Sequence, residues 1–575
     1  MPERHRAWRS LGAWALAALA ALAGLPAAAQ QVSPQIPGTV EPGRPAPAGP
    51  LLPRAPVELD WTVVLPGGAE VPESLAQEPI DFADLRVTGA TIYGPEDFAE
   101  IYAADRGHRI TFGRLYDYAR AIQARYQRDG YILSFAYLPP QRVSDGVYTV
   151  AVVEGFVSDI AVEGVEGRLA ETIAARLAPV AAERPLNIAT LERAMLLAND
   201  LAGVTATAVL QPAKSTPGAA ELVAKATLVP IDGSARLDNR GSEFEGPWRA
   251  AASVDVNSPL GRGARVALDA SVTPGDAKEL RSLDLAYLQP LGADGLTAEA
   301  SVGYTRSRPG YTLEPFDVVT SGLSAGLALR YPLIRRREDT LGLGAGFDYL
   351  DSDVDLLEAP FSRDRIRAVF ATLDYSHIGW LGGATALRAT ARHGLDVLNA
   401  SDPRSDAMSR ADADPEFTRL EFSLAHSQPL PRGLVLTLWA EGQYSFDPLP
   451  AAEEFAAGGP RFGRAYDLAE ITGEHGVAAA LELGYDLRPD RDWPQSSWIA
   501  GVTPYVFYDI ARSWQKETAQ TDGSSDSLAS TGLGLRLVLV GGAELDLEYA
   551  YPLTRTPLSD TDKSGRVFAA FSARF

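Results

Sequence analysis

From Ser234 to Phe575 apolar and polar residues alternate with a period of two. Between Arg249 and Asn257, Ala250, Ala252, Val254 and Val256 fall on one side, and Ser253, Asp255 and Asn257 on the other. Val477, Ala479, Leu481, Leu483, Tyr485 and Leu487 oppose Ala478, Ala480, Glu482, Gly484, Asp486 and Arg488; Leu545, Leu547 and Tyr549 oppose Glu544, Asp546 and Glu548. Successive side chains of a strand point to opposite faces, so each segment predicts a strand with one greasy face and one small or charged face. About sixteen segments of about ten residues can be counted, the length that crosses a bilayer when tilted. Short turns, such as Pro259-Leu260-Gly261 and Gly541-Gly542, alternate with longer polar loops at 399–415, 515–526 and 555–565. A soluble sandwich shares the alternation but not this asymmetry of turns. Backbone polar groups cannot stay unpaired in lipid, so such a sheet must close. The pattern predicts a 16-stranded antiparallel transmembrane β-barrel over 234–575.

Residues 80–231 follow a different rhythm. Thr111 can cap a helix that puts Leu115, Ala119, Ile122 and Tyr126 on one face. Gly130 follows, then strands at Ile132–Leu138 and Val147–Val153. A second round starts with a strand at Ser158–Glu163 and a helix at Ala170–Leu177. Another helix runs from an Asn187 cap through Leu191, Met195 and Ala198 to Leu201, and Gly203 stops it; strands follow near Thr205–Leu210 and Ala220–Leu228. Each round fits strand-helix-helix-strand-strand over roughly 75 residues, the size of a small domain. The chain thus predicts α+β modules in tandem at 80–155 and 156–231.

The N-terminus adds an address. Arg4, Arg6 and Arg9 precede an apolar run from Leu11 to Leu25, and Ala27-Ala28-Ala29 offers a cleavage site before Gln30. This predicts a secretory signal peptide over 1–29. No later stretch is long and apolar enough for a transmembrane helix. Residues 30–79 carry Pro34, Pro37, Pro42, Pro45, Pro47, Pro50, Pro53 and Pro56, which predicts a stiff, extended periplasmic linker.

Composition narrows the chemistry. The net charge of -22 argues against nucleic acid as a partner. There is no cysteine, hence no disulfide framework and no thiol nucleophile. The six histidines, His5, His108, His377, His393, His426 and His475, are scattered without metal-ligand spacing. Neither a Gly-x-Ser-x-Gly nor a His-Glu-x-x-His motif occurs, so no catalytic residue, cofactor or metal site is expected, and the chain does not read as an enzyme.

One stretch within the barrel does not alternate: Gly458-Gly459-Pro460-Arg461-Phe462-Gly463-Arg464-Ala465-Tyr466-Asp467. Three motifs place it. Leu191-Glu192-Arg193-Ala194-Met195-Leu196-Leu197-Ala198-Asn199-Asp200-Leu201-Ala202-Gly203-Val204 resembles the second polypeptide-transport-associated (POTRA) domain of two-partner secretion transporters, the ShlB/FhaC/HecB haemolysin secretion/activation family. Leu237-Asp238-Asn239-Arg240-Gly241-Ser242, with Gly246-Pro247-Trp248, is similar to the first barrel strand and loop of the same family. Counting strands, the glycine-rich stretch falls between the eleventh and twelfth, in the sixth outer loop (about 451–475), where Gly463-Arg464-Ala465-Tyr466 resembles the superfamily's Val-Arg-Gly-Tyr signature. In that family the loop folds into the lumen and its arginine meets an aspartate of strand thirteen, in a Phe-x-Asp-x-Gly motif. Phe507-Tyr508-Asp509-Ile510-Ala511 matches the Phe and the Asp. Ala465 and Ala511 stand where the family has glycine, and Gly463 departs at the first signature position. Alternation independently puts Val502, Val506, Tyr508 and Ile510 on the lipid face and Thr503, Tyr505, Phe507 and Asp509 in the lumen. The resemblance implies a loop lock between Arg464 and Asp509, supported by Gly463, Tyr466 and Phe507, in which the guanidinium can pair bidentately with the buried acid.

The resemblance further implies an outer-membrane transporter that secretes a large unfolded exoprotein, a TpsA-type adhesin or haemolysin, received by the periplasmic modules. The contact expected is a client strand adding to a module's sheet edge. The final Phe575 resembles the terminal signal read by the barrel assembly machinery. The expected protein is a monomer in outer-membrane lipid. Some family members plug the pore with an N-terminal helix; the proline-rich segment here argues against one. An insertion factor for other barrels, from the same superfamily, and a diffusion porin with periplasmic domains are the competing readings.

Overall fold

The computed structural model describes residues 37–42, 61–63 and 75–575, apart from 144, 214–215, 380, 404, 406, 488–497 and 519–521. The expected signal peptide and most of segment 30–79 lie outside the described residues.

In the first module, strand Val147–Val153 runs between Asp84–Thr88 and Phe135–Tyr137. Helix α1, Phe112–Arg128, buries Leu115, Ala119, Ile122 and Tyr126 against it, the face expected from their spacing. Short helical turns over 95–105 stand in place of the module's first helix. Pro95 starts them, and Gly107, at φ 78°, turns the chain back into a strand too soon for a longer helix. The strand expected at 132–138 shrinks to Phe135–Tyr137, because Ser134 N–H turns back to the Tyr131 carbonyl (3.0 Å).

The second module repeats the plan. Helices α2 (Gly167–Ala182) and α3 (Ile188–Asn199) pack on strands Phe156–Glu163, Val204–Pro212 and Ala219–Leu228. Ile173, Leu177, Leu191 and Leu222 are fully buried between them. The Asn187 side chain accepts the Ala189 N–H (3.0 Å) and caps α3.

Two pieces of the proline-rich segment depart from the expected stiff, extended periplasmic linker. Trp61–Val63 adds a parallel strand to the edge of the second module's sheet, with Trp61 opposite Ala208. Residues 37–42 lie inside the barrel: Val40 is buried, Ser352 Oγ donates to Glu41 Oε1 (3.1 Å), and the Pro42 carbonyl covers Gly322. A turn at Gly38–Val40 is the helical content there. Proline runs carry no periodicity, so nothing in their pattern marks the spots where an edge or a wall supplies partners.

The barrel strands are β1 Ile231–Asp238, β2 Arg249–Asn257, β3 Arg265–Val272, β4 Leu280–Leu291, β5 Leu296–Ser307, β6 Val319–Arg335, β7 Asp339–Leu356, β8 Ala359–Ile378, β9 Ala384–Gly394, β10 Thr418–Pro429, β11 Leu434–Ser445, β12 His475–Tyr485, β13 Ile499–Trp514, β14 Ser525–Leu539, β15 Glu544–Pro552 and β16 Arg566–Arg574. They form one closed antiparallel sheet, and β16 pairs with β1. The greasy faces point outward: Leu327, Leu329, Val506, Leu533 and Val567 are exposed. Tyr505, Phe507, Asp509, Glu482 and Glu548 are buried within. Among the described residues no helix is long and apolar enough to cross a membrane; the strands cross it.

Candidate functional site: the inner face of the sixth loop

Between β11 and β12 the chain turns into the lumen and forms a small hairpin, Phe455–Ala457 with Ile471–Gly473. Beyond it the tip is folded on itself. Gly458 N–H donates to the Phe462 carbonyl (2.7 Å), Gly459 N–H to Tyr466 (3.1 Å) and Tyr466 N–H to Gly463 (2.9 Å). Gly458 sits at φ 119°, and a Cβ there would stand 2.1 Å from the Asp467 carbonyl oxygen, so another residue would not fit. Ala465 is fully buried and outside the left-handed region, which explains why an alanine serves where the family has glycine.

Arg464 meets Asp509, but not as a bidentate pair. Its backbone N–H donates to Asp509 Oδ2 (2.9 Å), and its Nε lies 3.5 Å from Oδ1. The guanidinium turns to Glu482 Oε2 (2.8 Å) and Glu548 Oε2 (3.5 Å) and stacks 4.0 Å from the Phe507 ring centre. The reason is geometric: β12, β13 and β15 each aim a carboxylate at the same buried spot, so the fork is shared among three acids. Ser530 Oγ also donates to Asp509 (3.0 Å). Arg536 grips Glu482 through two bonds (2.6 and 3.0 Å), and Arg240 pairs with Glu548 (2.9 Å). Tyr505 Oη lies 2.9 Å from both Glu548 Oε2 and Asp546 Oδ1, and its one proton is shared between the two acids. Three arginines therefore face three buried acids, which is the condition for holding such charges out of water.

The flanks are tied as well. Tyr466 Oη donates to the Ala529 carbonyl (2.9 Å) and receives the Thr554 N–H (3.2 Å). Asp467 pairs with Arg566 (3.0 Å) and accepts the Ser559 N–H (2.9 Å). At the root, Arg410 of the loop between β9 and β10 bridges Glu454 (2.7 Å) and Glu474, one from each stem of the hairpin. Arg392 and Arg419 both hold Glu453 (3.1 and 2.7 Å).

Arg464, Asp509, Gly463, Tyr466 and Phe507 thus come together, whereas Phe575 stands apart at the periplasmic end of the β1–β16 seam. Phe575 is 71 % exposed and exchanges two backbone hydrogen bonds with Gly233 (3.0 and 3.1 Å). The expected lock leaves out Glu482, Glu548, Arg536 and Arg240. A signal existed for the two glutamates, which occupy the polar face of otherwise greasy strands. The motif around Arg240 has its own explanation: Asn239 bonds the Val567 carbonyl (3.0 Å) and the Ala569 N–H (2.7 Å), stitching the seam beside the Arg240–Glu548 pair.

The sequence signature of the family described as haemolysin secretion/activation protein ShlB/FhaC/HecB matches residues 222–537, more than half of the chain. The chain belongs to this family. A ShlB-type POTRA domain matches residues 81–155. The Hemolysin transporter protein ShlB of Serratia marcescens is 24% identical over 89% of this chain and 88% of its own length. The Heme/hemopexin transporter protein HuxB of Haemophilus influenzae is 21% identical over 81% and 82%. CdiB from Escherichia coli superposes with a TM-score of 0.69 at 20% identity, covering 88% of this chain and 92% of that one. BamA from Haemophilus ducreyi, lacking its first three POTRA domains, superposes with a TM-score of 0.51 at 15% identity, over 86% and 100%. As a member of the ShlB/FhaC/HecB family, the chain is an outer-membrane transporter of two-partner secretion, with its POTRA region in the periplasm.

Proposed function

We propose that this transporter secretes a large unfolded exoprotein of the adhesin or haemolysin type, and that the Arg464 cluster locks the sixth loop inside the resting pore. The observation that carries the lock is one guanidinium shared by Asp509, Glu482 and Glu548 in the closed barrel. The modules at 80–155 and 156–231 receive the client's N-terminal part, and the edge at Phe135–Tyr137, which among the described residues pairs only with Val147–Val153, suits an added strand. The client threads through the lumen, and its folding outside biases the movement. No step calls for a catalytic group, and the chain acts as a monomer in outer-membrane lipid. Phe575 serves as the signal to the barrel assembly machinery. A second reading, insertion of other barrels, fits the same fold.

One experiment separates the readings: proteins in the culture medium and outer membrane are identified for cells with the wild-type chain, a deletion, and Arg464→Ala. Loss of one large medium protein in both altered strains, with other barrels constant, is the expected result. A general fall of outer-membrane barrels would favour insertion instead. An unchanged medium would overturn the secretion reading.

A further inference from the structure

The run Asn199-Asp200-Leu201-Ala202-Gly203-Val204 does more than end a helix. Asn199 closes the helix end onto the next strand, bonding the Met195 and Ala206 carbonyls (2.9 and 3.0 Å) and accepting the Ala206 N–H (2.9 Å). The residues that follow reach the barrel. Leu201 packs where a Cβ on Gly263 would stand, in the β2–β3 turn. Leu197 does the same at Gly295, in the β4–β5 turn. Gly203, at φ 69°, lets the chain pass against Asn257, whose side chain bonds the Val229 carbonyl (3.0 Å).

The Asp200 backbone N–H closes the helix onto the Leu196 carbonyl (2.9 Å), but its side chain does not serve the helix. Asp200 is the C-cap of α3, where the negative end of the helix dipole disfavours an acid. Its partner is in the barrel: Arg335, at the end of β6, holds both carboxylate oxygens (2.9 and 2.8 Å) and is almost fully buried. Around this pair, Arg193 donates to the Pro332 carbonyl (3.1 Å) and Glu192 accepts the Arg337 N–H. The bulge between Pro332 and Ile334 shapes that end of β6 where it receives α3. The apolar contacts at Leu197 and Leu201 bring the two bodies together but lack direction. A two-bond fork between guanidinium and carboxylate has direction.

We propose that Asp200 is a positioning residue for secretion: its pair with Arg335 fixes the angle of the second module against the barrel mouth, so that a client leaving the module meets the lumen. The secretion half of this inference rests on the transport reading; the orientation half stands apart from it. The test uses the full chain, which has no native cysteine, with spin labels on cysteines introduced at Lys225 in the module and Arg432 in the β10–β11 turn. Distances are compared in wild type, Asp200→Arg, Arg335→Asp and the double exchange, with heat-modifiable gel migration confirming a folded barrel in each. Asp200→Asn replaces any reversal that fails to fold. The expected result is a narrow distance distribution in wild type, a broad one in each single variant and a narrow one again in the exchange. The client in the medium should fall about ten-fold in the single variants and return with the exchange. Narrow distributions in both single variants would overturn the orientation claim whatever secretion does. Broad distributions with unchanged secretion would overturn the positioning role.

Discussion

Arg464 is where single-residue chemistry matters most. Removing it leaves Asp509, Glu482 and Glu548 buried together with one fewer cation, and breaking a buried pair costs about 3–5 kcal/mol. Arg464→Ala is therefore expected to lower the temperature at which the folded barrel loses its fast gel migration, and Arg464→Lys to restore little, since a point charge cannot serve three acids at once. An unchanged transition in Arg464→Ala would remove the cluster from the list of stabilising features. A second residue-scale prediction concerns Glu154 in the first module. Burial raises the pKa of its carboxyl, but donors from Thr91, Ile92 and Tyr126 outweigh burial and hold it below the ordinary carboxylate range. A pKa lowered on folding contributes stability in full above the unfolded value and loses it as pH falls through the folded value. Glu154→Gln should thus loosen the turn at 89–94 by about 1–2 kcal/mol at neutral pH, read by hydrogen exchange. That difference should shrink as the wild type is acidified below the carboxylate range. Asp509 was legible because two signals agreed, resemblance and alternation. Glu482 and Glu548 were legible as lumen acids, but not as neighbours, since a meeting of β12 with β15 depends on barrel curvature, which leaves no local pattern.

At the scale of elements, the sixth loop behaves as a hairpin held at two places. Arg464 fixes its tip, and Arg410 clasps its stems through Glu454 and Glu474. Releasing the tip leaves the root in place. A single cysteine at Leu468, probed on whole cells with a membrane-impermeant thiol reagent, should react slowly in wild type and somewhat faster with Arg464→Ala. With Arg410→Ala added it should react at least about ten-fold faster than wild type, as local opening no longer opposes two sets of ion pairs. If Arg464→Ala alone gave the full rate, the root would not hold the loop. The loop was visible in the sequence as a break in alternation. Its hairpin was not, because strands of three residues, Phe455–Ala457 and Ile471–Gly473, are too short to show a period. Helix α1 was legible from its apolar stripe, whereas the turns over 95–105 were hidden by flanking Pro and Gly that allow either outcome.

Across the whole molecule, closure of the sheet follows from alternation and the demand that backbone groups be paired in lipid. The lengths of β7 and β8, 18 and 20 residues, exceed what crossing requires, and no periodicity distinguishes strand in lipid from strand above it. The β1–β16 seam is the shortest ladder of the barrel, with five residue pairs from Ser234–Arg574 to Asp238–Ala570. Both of its ends are reinforced, by Asn239 at one and by Phe575 with Gly233 at the other. This separates two roles for Phe575. If the terminal residue is chiefly an assembly signal, its deletion lowers the amount of barrel in the outer membrane, while protein refolded in detergent melts at the wild-type temperature. If it chiefly closes the seam, the refolded protein melts earlier, as it should with Asn239→Ala, which removes two hydrogen bonds and costs about 1–3 kcal/mol. The ring of Phe575 is exposed, and its backbone bonds to Gly233 need no particular side chain. Phe575→Ala is therefore expected to reduce delivery to the membrane and leave the melting temperature unchanged, and an earlier melt in Phe575→Ala would assign the ring to the seam.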